Sequence, residues 1–164
     1  MLVFSLEQIV YKLHLFVCLM NYERMYQTFV DELIVKSFPE LKGKVFVREK
    51  KMKSKALARH RIYGRVIFIS RSLRKYSLRS LKGMFVHELC HFELYGLGRS
   101  SWFNAKLSLL KQIFFEKYRK SEETAADRLV IKKGYAQDLL LTRKKLKPRN
   151  ARYYLDIREI KAGK

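Results

Sequence analysis

The chain has 164 residues, 48% hydrophobic and 13% aromatic with only two Pro, a composition that suits a single domain, 1–164, with a sizeable core. No membrane span is expected, because the longest stretch without a charge, 13–22, falls short of the about 20 apolar residues required, and Glu7 ahead of the first cation, Lys12, with no small-residue cleavage site after the apolar run, makes a signal peptide a poor reading; a cytoplasmic protein is expected. The net charge of +21 has two readings, contact with nucleic acid or a solvated surface rich in Lys and Arg.

At the start of the chain Leu6, Ile9, Val10 and Leu13 are spaced for a helix, while Met20 is an equally good start for a domain whose preceding residues pack loosely. Over 21–38 the stripe Met25, Phe29 and Leu33, with charges between, predicts an amphipathic helix that Pro39 stops. Residues 1–40 are thus a helical extension ahead of a core at 41–164. Val45-Phe46-Val47 and Val66-Ile67-Phe68-Ile69 are β-branched or aromatic runs too short for helices and read as strands. The segment 56–63 is compatible with extended backbone and Gly64 offers a tight turn, so a small antiparallel sheet of about three strands is expected. From Arg48 to Arg61 half of the positions are Lys or Arg, which tracks phosphates when carried on a strand or hairpin and is a solvated loop otherwise.

After a polar link at 71–76, Ser77 or Ser80 caps a helix whose buried stripe is Leu78, Leu81, Phe85, Leu89 and Phe92, ending at Gly96 and Gly98. Residues 102–118 are amphipathic with Leu107, Leu110, Ile113 and Phe114 inward. Ser121 is expected to cap a helix running to Lys133 before Gly134 stops it, and 151–160 is a last helical pattern after Pro148. The class is α+β, without internal repeats.

Chemistry concentrates at His87-Glu88-Leu89-Cys90-His91. Positions four apart on a helix return to within about 40° of each other and lie roughly 6 Å apart along it, so two imidazoles can grip one ion. Glu88 borders the same face, where it can take a proton from a water at the metal. Cys90 falls on the side away from the His pair and reads as a buried structural thiol; with Cys18 the only other cysteine, neither a disulfide nor a thiolate ligand is expected.

A catalytic zinc takes three protein ligands and keeps one position open. His91 is the last histidine, and the extended motif that would supply a downstream His carries Leu94 and Leu97 at its Gly and His positions, which leaves a carboxylate. Glu123 stands out: Glu123 and Asp127 lie four apart on one helix face, with Ala125 and Ala126 allowing close approach to the motif helix. One acid can bind metal while the other orients a ligand His through its far nitrogen. Glu122 is an alternative ligand, and Asp127 has an alternative role as ion-pair partner of Arg128 or a nearby Lys. His14 and His60 read as ordinary histidines.

His87-Glu88-Leu89-Cys90-His91 followed about 30 residues later by Glu123-x-x-x-Asp127 resembles the gluzincin clan of metallopeptidases, and most closely the small single-domain minigluzincins. The segments 64–70, 126–135 and 153–160 fit that family in the same order, and the match spans roughly 44–160. The resemblance implies a zincin-like domain with a short sheet, an active-site helix, a glutamate helix, one Zn²⁺ and peptide hydrolysis. It also implies that the strand at Val66, Ile67, Phe68 and Ile69 is an edge that pairs an extended substrate. The motif with Trp102-Phe103 is similar, more weakly, to the SprT-like metalloproteases, which supply a third His where this chain has none.

The reaction expected is that of a zinc-dependent endopeptidase, with His87, His91 and Glu123 as ligands, Glu88 as general base and Asp127 behind the site. Tyr95, Tyr135, Tyr153 and Tyr154 are the candidates for stabilising the oxyanion. The rival readings are a nucleic-acid-binding protein on a zincin-like scaffold and an SprT-like protease acting on DNA-associated proteins. Partners left open are a peptide or protein substrate, nucleic acid on the basic surface, and a second copy of the chain; no membrane is expected.

Overall fold

The computed structural model describes residues 6–52, 58–61, 65–96, 116–146 and 154–162, with backbone alone for 6–21, 60 and 61. The helix expected over 102–118 lies outside the described residues except for its last three, as do Gly64, Gly98 and Tyr153. Helix α1 is continuous over Leu6–Ser37. Its buried stripe is Tyr26, Val30, Leu33 and Ile34, whereas Met25 is exposed and Phe29 half-buried. The inward face is therefore turned by about one residue from the sequence expectation, because the ring of Tyr26 rather than the Met25 thioether meets Phe85, at 5.8 Å between centroids.

Three strands follow: β1 (Phe46–Lys50), β2 (Ala58–Arg61) and β3 (Val66–Ser70), in the spatial order β1-β3-β2. The hairpin β2–β3 is antiparallel as expected, but β1 and β3 are parallel. The chain leaves β1, crosses to the far side of the sheet as β2 and turns back into the middle as β3, so the sheet is mixed. Alternation sends Val47, Ile67 and Ile69 inward, fully buried.

The outer edge of β1 is not left open. The Gln27 side chain accepts from Val47 N–H at 2.7 Å and donates to Val45 C=O at 3.1 Å, and Glu23 accepts from Glu49 N–H at 2.9 Å. Helix α1 thus satisfies the backbone groups that an edge strand would otherwise offer to another chain. The Glu49 side chain, 1% exposed, is held by Arg74, whose Nε donates to it at 3.0 Å.

Helix α2 (Leu78–Leu94) starts at Ser77, whose hydroxyl accepts from Ser80 N–H at 3.3 Å, and ends at Gly96 with φ +66. Every residue from Gly83 to Phe92 is buried, so this helix is central rather than one-sided. Helix α3 (Glu116–Lys132) carries Ser121 in its interior, not at a cap: the polar run before Ser121 continues the helix, and Gly134 at φ +85 ends it.

Helix α4 (Ala136–Leu146), which the sequence reading did not resolve, packs across α2. Gly83 is what permits this: a Cβ there would sit 2.4 Å from the Asp138 carbonyl oxygen and 2.6 Å from Leu139 Cα. Lys82 pairs with Asp138 at 3.0 Å and Thr142 donates to the Ser80 carbonyl at 2.9 Å, fastening the same crossing.

The final helix, α5 (Ile157–Ala162), begins later than expected. Asp156 accepts from Arg158 N–H and Glu159 reaches back to Asp156 N–H, both at 2.8 Å, a reciprocal cap that leaves Tyr154–Asp156 outside the helix. One apolar cluster joins α1, the inner sheet face and the later helices. Among the described residues no helix is long and apolar enough to cross a membrane.

Candidate metal centre

The one-turn separation on α2 stacks the His87 and His91 rings edge to face at 4.8 Å and brings their Nε2 atoms to 3.1 Å. Helix α3 adds Glu123, whose Oε2 lies 3.0 Å from His87 Nε2 and 3.5 Å from His91 Nε2. These three side chains lie close enough together to hold a metal ion. A tetrahedral ion with bonds of about 2.0–2.1 Å separates its ligand atoms by roughly 3.3 Å, which the three observed spacings bracket.

Asp127, one turn beyond Glu123 and fully buried, accepts from His87 Nδ1 at 2.8 Å. A proton fixed on Nδ1 leaves the Nε2 lone pair facing the carboxylate of Glu123. Two lone-pair atoms 3.0 Å apart repel unless a proton or a cation stands between them, so the donor set suits a cation. Electrostatics agree. Burial by itself would lower the His87 imidazole, but Asp127 and Glu123 outweigh it and push it up to about 10. Burial likewise opposes ionisation of Glu123, and hydrogen bonds from His87 and His91 nonetheless hold its carboxyl well below the usual carboxylate range.

Asp127 is anchored from two further directions. Arg143 on α4 donates to its Oδ1 at 2.8 Å, and the Leu155 backbone N–H donates to Oδ2 at 3.1 Å. Against the cost of burial, His87, Arg143 and Leu155 together keep its carboxyl below its ordinary value. The partner cation is therefore Arg143 rather than Arg128, which is exposed. The Arg143 guanidinium in turn lies 3.7 Å from the Tyr154 ring centroid, and that ring meets His87 at 5.5 Å.

His87, His91 and Glu123 converge, Asp127 stands behind His87, and Glu88 is buried beside them on α2. Glu122 instead accepts from the Tyr95 hydroxyl at 3.1 Å, while the Tyr95 ring stacks on His91. Tyr135 is removed from the oxyanion candidates: its hydroxyl bonds Ser37 Oγ at 2.7 Å and ties α1 to the α3–α4 turn. Cys90 is a fully buried thiol that burial pushes far up, hence chemically inert.

The expectation that Val66, Ile67, Phe68 and Ile69 form a substrate-pairing edge is corrected. Each of the four has a backbone partner on both sides, Phe46 to Glu49 on β1 and Ala58 to Arg61 on β2, so β3 is the middle strand. Among the described residues the uncovered edge is that of β2, since α1 covers β1. Arg143 and the Leu155 N–H escaped the sequence reading, although the cations Arg143, Lys144 and Lys145 after Leu139 and Leu140 mark the last turn of a helix.

No family model, curated protein or solved structure matches the chain.

Proposed function

We propose that the chain is a zinc-dependent metallopeptidase of the gluzincin type, an endopeptidase with His87, His91 and Glu123 as ligands and Glu88 as general base. The observation that carries this reading is the convergence of two Nε2 atoms and one carboxylate oxygen within 3.0–3.5 Å, with an ionisable Glu88 on the adjacent position of the same helix. Two imidazoles and one carboxylate are a donor set that suits Zn²⁺. When bound, the ion supplies Lewis acidity that polarises the scissile carbonyl and acidifies water.

The chain's own residues do the rest. Glu88 accepts a proton from water as the water oxygen forms its bond to the carbonyl carbon. It then delivers that proton to the amide nitrogen as the C–N bond breaks, so Glu88 ends the cycle ionised. Asp127 keeps the proton on His87 Nδ1 so that Nε2 remains a donor to the metal, and Arg143 keeps Asp127 ionised. Tyr154, beside His87 and within the field of both Glu88 and Glu123, is the candidate to stabilise the oxyanion. The outer edge of β2, which has no strand partner among the described residues and packs near α2, is the lane for an extended substrate, whose backbone would add a strand there.

Glu88→Gln tests the proposal. It should retain about one zinc per chain while peptide hydrolysis falls by roughly 10²- to 10⁴-fold; hydrolysis at the wild-type rate would sink the mechanism. Glu123→Ala should lose metal, and unchanged metal content would move the third ligand elsewhere.

A further inference from the structure

The face of the sheet turned away from the core is a second feature that the metal centre does not use. On β1, alternation places Phe46, Arg48 and Lys50 on this face, opposite the buried Val47. Register aligns Arg48 and Arg59 with Phe68 from its two sides. Phe46 is 49% exposed and the Arg48 side chain 58% exposed, with Lys50 and Arg59 exposed as well and Phe68 half-buried. Lys50 Nζ already sits 5.4 Å from the centroid of the Phe68 ring.

We propose that this outer sheet face is a platform for single-stranded nucleic acid, on which Phe46 and Phe68 stack with bases while Arg48, Lys50 and Arg59 hold the phosphates. Two observations select this occupant. The cations surround aromatic rings, and the exposed Phe46 ring, with the half-buried Phe68 beside it, can meet an unpaired base, which a duplex does not present. Charge is complementary: the acid of β1, Glu49, points inward to Arg74, and Glu23 of α1 is the acidic neighbour at the border, 3.6 Å from Arg48 Nη1. The net charge of +21 favours a polyanion. An acidic peptide would use the cations and leave the rings without a role.

The proposal is independent of the peptidase reading. Its test is fluorescence anisotropy of the full chain with labelled single-stranded RNA, single-stranded DNA and a duplex of equal charge, at about 150 mM salt with heparin as competitor. A single strand should bind at least roughly tenfold more tightly than the duplex, and the RNA and DNA arms identify which strand is preferred. Phe46→Ala should weaken single-strand binding about tenfold, Phe46→Tyr should restore it, and Arg48→Ala with Arg59→Ala should reduce the salt slope by about one to two. Because Phe46 is exposed, its variants should melt with the wild type, and Glu88→Gln should bind as the wild type does. Single strands bound no better than duplex or heparin, or binding indifferent to Phe46→Ala, would overturn the platform. So would an acidic peptide or an anionic vesicle that displaces the strand with the same dependence on Phe46.

Discussion

At His87 the two ring nitrogens are given opposite tasks by their neighbours. Asp127 accepts a hydrogen bond from Nδ1–H at 2.8 Å, and the Nε2 lone pair is left facing Glu123 and His91. In the metal-free chain a second proton answers this arrangement, which is why the imidazole is pushed up to about 10. The sign of the pH dependence follows. That proton stabilises the metal-free fold fully below about pH 6.5 and is lost as pH rises through about 10, so metal binding at pH 7 to 9 must expel it. Calorimetry in buffers of different ionisation enthalpy should record about one proton released per zinc bound, with apparent affinity rising about tenfold per pH unit; zinc uptake without proton release would contradict this assignment. Asp127→Asn can present an amide N–H where an acceptor is needed, and should lower zinc affinity about 10- to 100-fold in a competition titration. His87, Glu88 and His91 were legible because an i, i+4 spacing states its own geometry. Glu123 was reached because histidine ran out. Arg143 and Leu155 were not legible, since their contacts with Asp127 span 16 and 28 residues, a separation that no local pattern encodes.

At the level of elements the decisive residue is the smallest one. Gly83 lets α4 cross α2 with Asp138 and Leu139 backbone atoms where a side chain would begin, and α4 is what delivers Arg143 to the back of the site. Alanine is worth up to about 1 kcal/mol more than glycine in a free helix. Here the obstructing atoms are backbone and cannot rotate aside, so Gly83→Ala should destabilise the fold by roughly 1–3 kcal/mol net. Thermal melting would show a fall of several degrees, and an increase would mean that the crossing is looser than described. The Gly96 and Gly134 stops were legible because they depend on one residue's own backbone preference, whereas the choice of Ser77 over Ser80 as the cap came from the fold, where the Ser77 hydroxyl accepts from Ser80 N–H. The α1 stripe was off by about one position, and Ser121 was misplaced as a cap. Periodicity gives the presence of an amphipathic face more firmly than its angle, which the partners Phe85 and Val47 set.

For the molecule as a whole, a metal at this site would join α2 to α3, while Asp127 links α3 to α4 and to the backbone ahead of α5. Binding to the folded chain alone raises stability by mass action, about 2.7 kcal/mol when free metal is 100 times its Kd. The melting temperature should therefore climb with zinc concentration and fall again with a chelator; a temperature indifferent to zinc would mean that the cluster holds none. The α+β class and the strand-forming runs at 45–47 and 66–69 could be read from the chain because such runs are local, although the first strand lies at Phe46–Lys50. That the sheet is mixed, with β3 in the middle, could not. Strand order depends on where a connection crosses, and the substrate-edge assignment failed on that point. By itself the sequence determined the candidate ligand types and the spacing of the two histidines on one helix, since 3.6 residues per turn converts sequence into geometry without further information. Only the tertiary structure decided which carboxylate faces the histidines, what holds Asp127, and which strand lies in the middle of the sheet. Those depend on contacts between segments that meet only after the core has packed.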